Sequence, residues 1–195
     1  LEDMIDIMNN ELDKIDSWFA ANRLNVNIDK TKAMILSRKP HSQPLNSLNI
    51  RSIPILWEQK MKFLGVLLDV KLNWKDHIQM IASKISKTCG ILYRIRNSLN
   101  AESLRLLYHS LVHPYITYCN TVWSSTYMSN IRPIILAQKK IIRILSYAKK
   151  TDHTQNLFYI NKILPVHQVI TLSACLFMFK AINGLSDSSN FIANQ

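Results

Sequence analysis

Residues 60–96 read KMKFLGVLLDVKLNWKDHIQMIASKISKTCGILYRIR, and the hydrophobic period changes midway through this stretch. Met61 to Leu68 is a short apolar run bounded by Asp69, which reads as a strand. From Trp74 to Arg96 the apolar residues fall on Ile78, Ile81, Ile85 and Ile91 or Leu92. Steps of this kind put side chains on one stripe of an α-helix. The change near residue 70 predicts a small α/β part before it and a helical part after it. The fold class is therefore α+β, and mostly α-helical.

Upstream, Met4, Met8, Leu12, Ile15 and Phe19 recur at helical steps over 3–21, with Trp18 extending that face and acidic residues outside it. Asn22 to Asn25 ends the helix. Ala33 to Ser37 reads as a strand, and 38–46 as a loop carrying two prolines. Leu48, Ile50, Ile53 and Ile55 flank a polar turn and predict a β-hairpin. Downstream, Asn100 or a nearby serine caps a helix over 102–112. A fresh segment runs from Pro114 to Trp123. Helices follow over 131–148, 153–160 and 166–182, the last stopped by Asn183-Gly184. Residues 186–195 are polar and expected to fray.

Composition bounds the chemistry. The chain has 195 residues, of which 48% are hydrophobic, enough for a packed core. Three glycines, Gly65, Gly90 and Gly184, stand far apart. A phosphate-cradling loop needs several close together, so P-loop and dinucleotide-binding classes are excluded. Cys89, Cys119 and Cys175 form no CxxC pair, which argues against a disulfide framework or a cysteine-rich zinc site. The start shows no secretory signal, and no apolar run is long enough for a membrane span. A nuclear or cytoplasmic protein, not a secreted one, is expected. Because the first residue is not Met, a fragment of something longer is also expected.

The net charge is +11, unevenly spread. Residues 1–30 hold three basic and seven acidic side chains, whereas 31–195 hold 21 basic and six acidic. Such an excess points to a polyanion, with nucleic acid the leading partner. A cationic surface with no specific partner has the same composition.

Four blocks then carry a family resemblance. Trp18-Phe19 precedes NRLNVNIDKTK at 22–32; KFLGVLLD at 62–69 precedes Leu72-Asn73-Trp74 and His77-Ile78. LYHSLVHPYITYC at 107–119 is followed by Trp123 and by QKKIIR at 138–143. In this order and at this spacing the blocks resemble reverse transcriptases of non-LTR (LINE-type) retrotransposons, the jockey-like branch most of all. The resemblance covers about residues 15–165. It implies that 1–70 is the end of the polymerase palm and that 71–185 is the helical thumb and the region after it. The first block would be motif D, and the second motif E, the primer-grip hairpin beside the growing 3′ end.

The family polymerises DNA on an RNA template with two Mg²⁺ ions held by aspartates, one pair of them adjacent. This sequence has no adjacent aspartate pair, and Asp3 and Asp6 at the start of a helix do not replace one. The chain is expected to begin just past that turn, without the fingers, and to need no cofactor of its own. Mg²⁺ would belong only to a complete parent enzyme.

The resemblance casts Lys30 as the motif D proton donor to pyrophosphate, a role that requires a complete palm; otherwise it is a solvated loop lysine. Phe63, Leu64 and Gly65 would form the primer-grip turn, or a buried strand with a bulge. Lys84, Lys87, Arg94 and Arg96 lie off the isoleucine stripe of the first thumb helix, and Lys139, Lys140 and Arg143 make a second basic face. Both suit phosphate contacts without sequence readout. Tyr93 and Tyr108 could stack on bases, but their helical spacing favours the core. His109 and His113 have the i, i+4 spacing of helical zinc ligands but lack an acidic partner and a third ligand, so no metal site is expected.

Two functional readings follow. One is a fragment of an RNA-directed DNA polymerase that keeps contacts to RNA template and DNA primer, completed by the missing palm and fingers. The alternative is a non-catalytic, basic helical nucleic-acid-binding or interaction module derived from it. Either way the α/β part lacks sheet partners, and its strand edges predict poor solubility or a covering partner.

Overall fold

The computed structural model describes residues 2–37 and 46–185. Most of the loop expected at 38–46, and all of the tail at 186–195, lie outside them. The described residues are mostly helical with a few short strands, an α+β fold. The chain divides into two units, Leu1–Asn73 and Trp74–Gln195.

Among the described residues of the first unit, helix α1 (Glu2–Ala21) leads to a 3-10 turn at Ile28–Lys30 and six short strands. These are β1 (Lys32–Ala33), β2 (Asn49–Ile50), β3 (Ile53–Pro54), β4 (Leu56–Trp57), β5 (Lys60–Phe63) and β6 (Val66–Asp69). They form three separate pairs: β1 with β4 in parallel, β2 with β3 and β5 with β6 antiparallel. The hairpin expected around Leu48 to Ile55 is present, with Ile50 opposite Ile53. Arg51 and Ser52 turn it with φ of 51° and 61°, the left-handed pair a two-residue hairpin requires.

Three local expectations change. Of the strand read from Ala33 to Ser37 only Ala33 is extended in β1, which begins one residue earlier at Lys32. The single strand read from Met61 to Leu68 is a hairpin, because Leu64 and Gly65 adopt φ of 44° and 85° and fold the run back on itself. Of the Met4, Met8, Leu12, Ile15 and Phe19 stripe on α1, Leu12 and Phe19 pack, but Met4, Met8 and Ile15 are 46%, 40% and 48% exposed, so the packed face is a different one. It is Ile5, Asn9, Leu12, Asp16 and Phe19, all buried or half-buried at the same helical steps.

Polar partners account for that roll of the helix. The Asn9 side chain donates to Ser47 O at 3.2 Å and accepts from Asn49 N at 2.9 Å, clamping the entry to β2. Arg51 grips Asp16 through Nε and a terminal nitrogen at 2.8–3.0 Å, and donates to Asn25 Oδ1 at 2.8 Å. Ile5, Leu48, Ile50 and Ile55 make a small core beneath these clamps, with Leu12, Val26 and Trp57 against it.

Among the described residues, the secondary structure of the second unit is all helical. It comprises α2 (Lys75–Ile95), a 3-10 turn (Arg96–Ser98), α3 (Ala101–Leu111), α4 (His113–Thr117), α5 (Asn120–Trp123), α6 (Met128–Leu145), α7 (Gln155–Ile160) and α8 (Val166–Ile182). Asn100 caps α3 by accepting from Ser103 N at 2.8 Å, as its side chain predicts. The segment read as one from Pro114 to Trp123 is two short helices, broken where Cys119 takes φ of 49°. Helices α2 and α6 are the most extensively packed pair. Ile78, Ile81, Ile85 and Leu92 of α2 are buried, as are Ile134, Ile141 and Ile142 of α6, while Ile91 points to solvent.

A buried amide ties this bundle together. Gln138 donates to Tyr108 Oη at 2.8 Å and to Leu164 O at 2.9 Å, and accepts from Val166 N at 2.9 Å. One side chain thus joins α3, α6 and the start of α8. Burial holds the Tyr108 hydroxyl protonated, pushing its pKa to about 12.

Candidate nucleic-acid interface

Charge separates the two units. The first holds ten basic and nine acidic residues; the second holds fourteen basic and four acidic. Within the second unit, the end of α2 and the outer face of α6 enclose a recess of about 430 Å³. Arg96, Lys140, Arg143 and Lys150 line it, and no carboxylate does among the described lining residues. Cys89, Ile144 and Ala148 supply apolar wall, and Gly90 and Tyr93 complete the α2 side.

The two guanidinium groups are held in place. Arg96 lies over the Tyr93 ring, 4.5 Å from its centre, and 5.4 Å from that of Tyr147. The Tyr147 hydroxyl donates to Arg96 O, fixing the same turn. Arg143 donates Nε–H to Asp152 O at 3.0 Å, and the Asp152 carboxylate accepts from Lys149 N at 2.8 Å, ordering the turn that carries Lys150. Stacked or anchored guanidinium groups lose less freedom when they meet a phosphate than mobile lysines do. At the wall, Cys89 is buried with Sγ 3.8 Å from Ala137 O; burial pushes its thiol pKa up, against the pull of nearby Lys140.

The basic residues expected from sequence divide into two groups. Arg96, Lys140 and Arg143 come together at the recess. Lys84, Lys87 and Arg94 share the other flank of α2, where Lys84 lies 5.0 Å from the centre of the Tyr115 ring. Arg96 belongs to the 3-10 turn, not to α2, so the helix ends before the last cation assigned to it. Lys139 is half-buried beside Lys140 and does not line the recess.

The aromatic residues divide too. Tyr108 is a core residue, as its spacing suggests. Tyr93 is not: it is 58% exposed and lies on the recess, because its position falls outside the stripe that faces α6. Lys150 and Tyr147 were missed. The Lys149-Lys150 doublet is visible in sequence, but no periodicity marks Tyr147. His109 and His113 stack edge to face at 5.4 Å, with Tyr108 against both rings. Burial, and next His109, lower the His113 pKa.

In the first unit, Lys30 closes the 3-10 turn, its backbone N–H held 3.1 Å from Asn27 Oδ1 and its side chain exposed. Phe63, Leu64 and Gly65 form the tip of the β5–β6 hairpin. Phe63 and Leu64 are 60% and 75% exposed, so the buried, bulged strand is not what forms. Behind the tip the buried Asp69 carboxylate accepts from Lys71 N at 3.1 Å and from Asn73 N at 3.2 Å, fixing the end of β6. No helix among the described residues is long and apolar enough to cross a membrane.

No family model matches the chain, and no solved structure does. Two proteins of Drosophila melanogaster are similar to it. One is an RNA-directed DNA polymerase from the mobile element jockey, 28% identical over 150 residues, which is 75% of this chain and 16% of that protein. The other is a probable RNA-directed DNA polymerase from transposon X-element, 22% identical over 136 residues, 68% of this chain and 15% of that protein. The chain thus spans about a sixth of the length of these relatives. Over about 70% of its length the chain is similar, at low identity, to retrotransposon RNA-directed DNA polymerases.

Proposed function

We propose that this chain is a portion of a retrotransposon reverse transcriptase, the end of the palm followed by the thumb. In this reading it holds an RNA template–DNA primer duplex through backbone contacts. The observation that carries this is the placement of charge. The helical unit gathers Arg96, Lys140, Arg143 and Lys150 around one recess, with Lys84, Lys87 and Arg94 on a neighbouring flank. Its acidic residues number four against fourteen basic ones. Such a surface follows phosphates without reading bases.

The exposed Phe63-Leu64-Gly65 tip suits a primer grip, where backbone and small apolar groups meet the end of a strand. Lys30 would act only beside a complete palm. Two-metal phosphoryl transfer needs a set of carboxylates on the metals. With no adjacent aspartates in the sequence, this chain contributes gripping parts and not the chemistry.

The exposed stripe Met4, Ile7, Met8, Ile15 and Trp18 on α1 favours a piece of a larger polymerase over a free-standing module. A stripe of that width is what a further part of the parent enzyme would cover.

Binding of the full chain to a labelled RNA–DNA primer-template tests the reading. Affinity should fall by about a thousandfold or more between about 50 and 200 mM salt if six or more phosphates are engaged. Absence of binding at the lower salt, or binding indifferent to salt, would overturn it.

A further inference from the structure

The recess between α2 and α6 is more than a patch of charge. A duplex backbone lying across these cations would leave the recess volume of about 430 Å³ unfilled. That volume is within the range of small-molecule sites. Its two halves differ in chemistry. Arg96, Lys140, Arg143 and Lys150 supply cations, whereas Cys89, Ile144 and Ala148 supply apolar wall beside the exposed Tyr93 ring. A bare phosphate would satisfy only the first half. A nucleotide has a dianionic phosphate for one and a flat base for the other.

Gly90 points the same way. It sits inside the 21-residue helix α2, where glycine costs about 0.5–1 kcal/mol relative to alanine. A Cβ at this position would meet nothing within 4 Å, so packing within the chain does not require glycine here. Glycine does keep the α2 side of the recess bare, which suits close approach of a ligand to the backbone.

We propose that this recess binds one unpaired nucleotide through its terminal phosphate, seating the phosphate among Arg96, Lys140, Arg143 and Lys150 and the base against Tyr93 and the apolar wall. This rests on the reading that the helical unit binds nucleic acid, and it adds a preference: a 5′-phosphorylated overhang over a blunt end. Base–aromatic stacking is tolerant of sequence, so any base serves.

The test uses the full chain and two kinds of probe. Titration with adenosine monophosphate, followed by amide NMR, should shift Gly90, Tyr93, Ile144 and Ala148. Its affinity should exceed that of adenosine or inorganic phosphate by about tenfold. Separately, a primer-template with a short 5′-phosphorylated overhang should bind about tenfold tighter than its 5′-hydroxyl counterpart. Gly90→Met, which fills the recess without removing charge, should bring both ratios to within about twofold. If that variant does not fold, Lys140→Gln with Arg143→Gln should do the same.

Shifts absent from the recess, or inorganic phosphate binding as well as the nucleotide, would overturn the proposal. Duplex binding without nucleotide binding would remove the recess and keep the duplex reading. Nucleotide binding without duplex binding would do the reverse.

Discussion

The two units reach stability by different means. The helical unit buries a continuous aliphatic seam between α2 and α6 and gives its buried Gln138 amide three hydrogen bonds. Among its described residues the α/β unit has three isolated strand pairs and a core cluster of four buried aliphatic side chains. It relies on side-chain clamps at Asn9 and Asp16, both on the helix face that its apolar pattern assigns to solvent. Where apolar area is plentiful, hydrophobic period decides which face is buried. Where it is scarce, a few hydrogen bonds decide it, and apolar residues are left outside.

The contrast can be broken at Gln138. Gln138→Leu strips partners from Tyr108 Oη, Leu164 O and Val166 N in a buried setting. Unfolding of the helical unit in urea should lose about 3 kcal/mol. A loss below about 0.5 kcal/mol would mean that the amide is incidental to the bundle.

Asn9→Ala probes the other unit. Removing both contacts to the β2 segment should cost about 1–2 kcal/mol. Hydrogen exchange should quicken at Asn49 and Ile50 while α2 and α6 keep their protection. Equal acceleration in both units would show that they unfold together.

Two changes should stabilise. Gly90→Ala adds a methyl that meets nothing and should raise stability by about 0.5–1 kcal/mol in thermal melts. Leu64→Asn replaces a leucine at φ of 44° with the residue best suited before Gly65. It should gain about 0.5–1 kcal/mol and remove the exposed apolar tip. A loss in either case would mean that the native residue makes a contact worth more than the backbone relief.

The pH response should come from the helical unit. Burial, and next the charge of Lys84, lower the His77 pKa below its ordinary value. Its contribution is therefore fully present above 6.5 and declines as pH falls below that, because the unfolded chain takes up the proton first. The Asp16–Arg51 contact acts lower. Hydrogen bonding to Arg51 holds the carboxyl below its ordinary value, so that stabilisation is lost only as pH falls from about 4. Melts in His77→Phe should flatten between about pH 7 and 5.5; an unaltered slope would place the titration on another group.

Much of the helical unit was legible because its pattern is redundant. Four isoleucines or leucines at helical steps fix α2 whatever any single position does, and the Asn100 cap fixes the start of α3. The hairpin at Leu64-Gly65 was legible only as a motif. As a period, MKFLGVLL looks like one strand, since a leucine at positive φ gives no turn signal of its own. The face of α1 was misread because Asn9 and Asp16 count as polar in any pattern, while their partners Asn49 and Arg51 lie about 35–40 residues away. At the candidate interface, Lys139, Lys140 and Arg143 were visible as a charged helix face. The convergence of Lys140 and Arg143 with Arg96 and Lys150 was not, because it depends on how two distant helices pack. The strand edges that predict poor solubility are joined by the exposed α1 stripe.

The most direct measurement compares salt dependence of primer-template binding for the full chain and for the variant Lys139→Gln, Lys140→Gln, Arg143→Gln. Each phosphate contact contributes about 0.9 to the slope of log affinity against log salt. The account predicts a steep slope for the native chain and one shallower by about 2–3 for the variant, with folding retained. Equal slopes would contradict it, since the charge gathered on α6 would then not be where the nucleic acid is held.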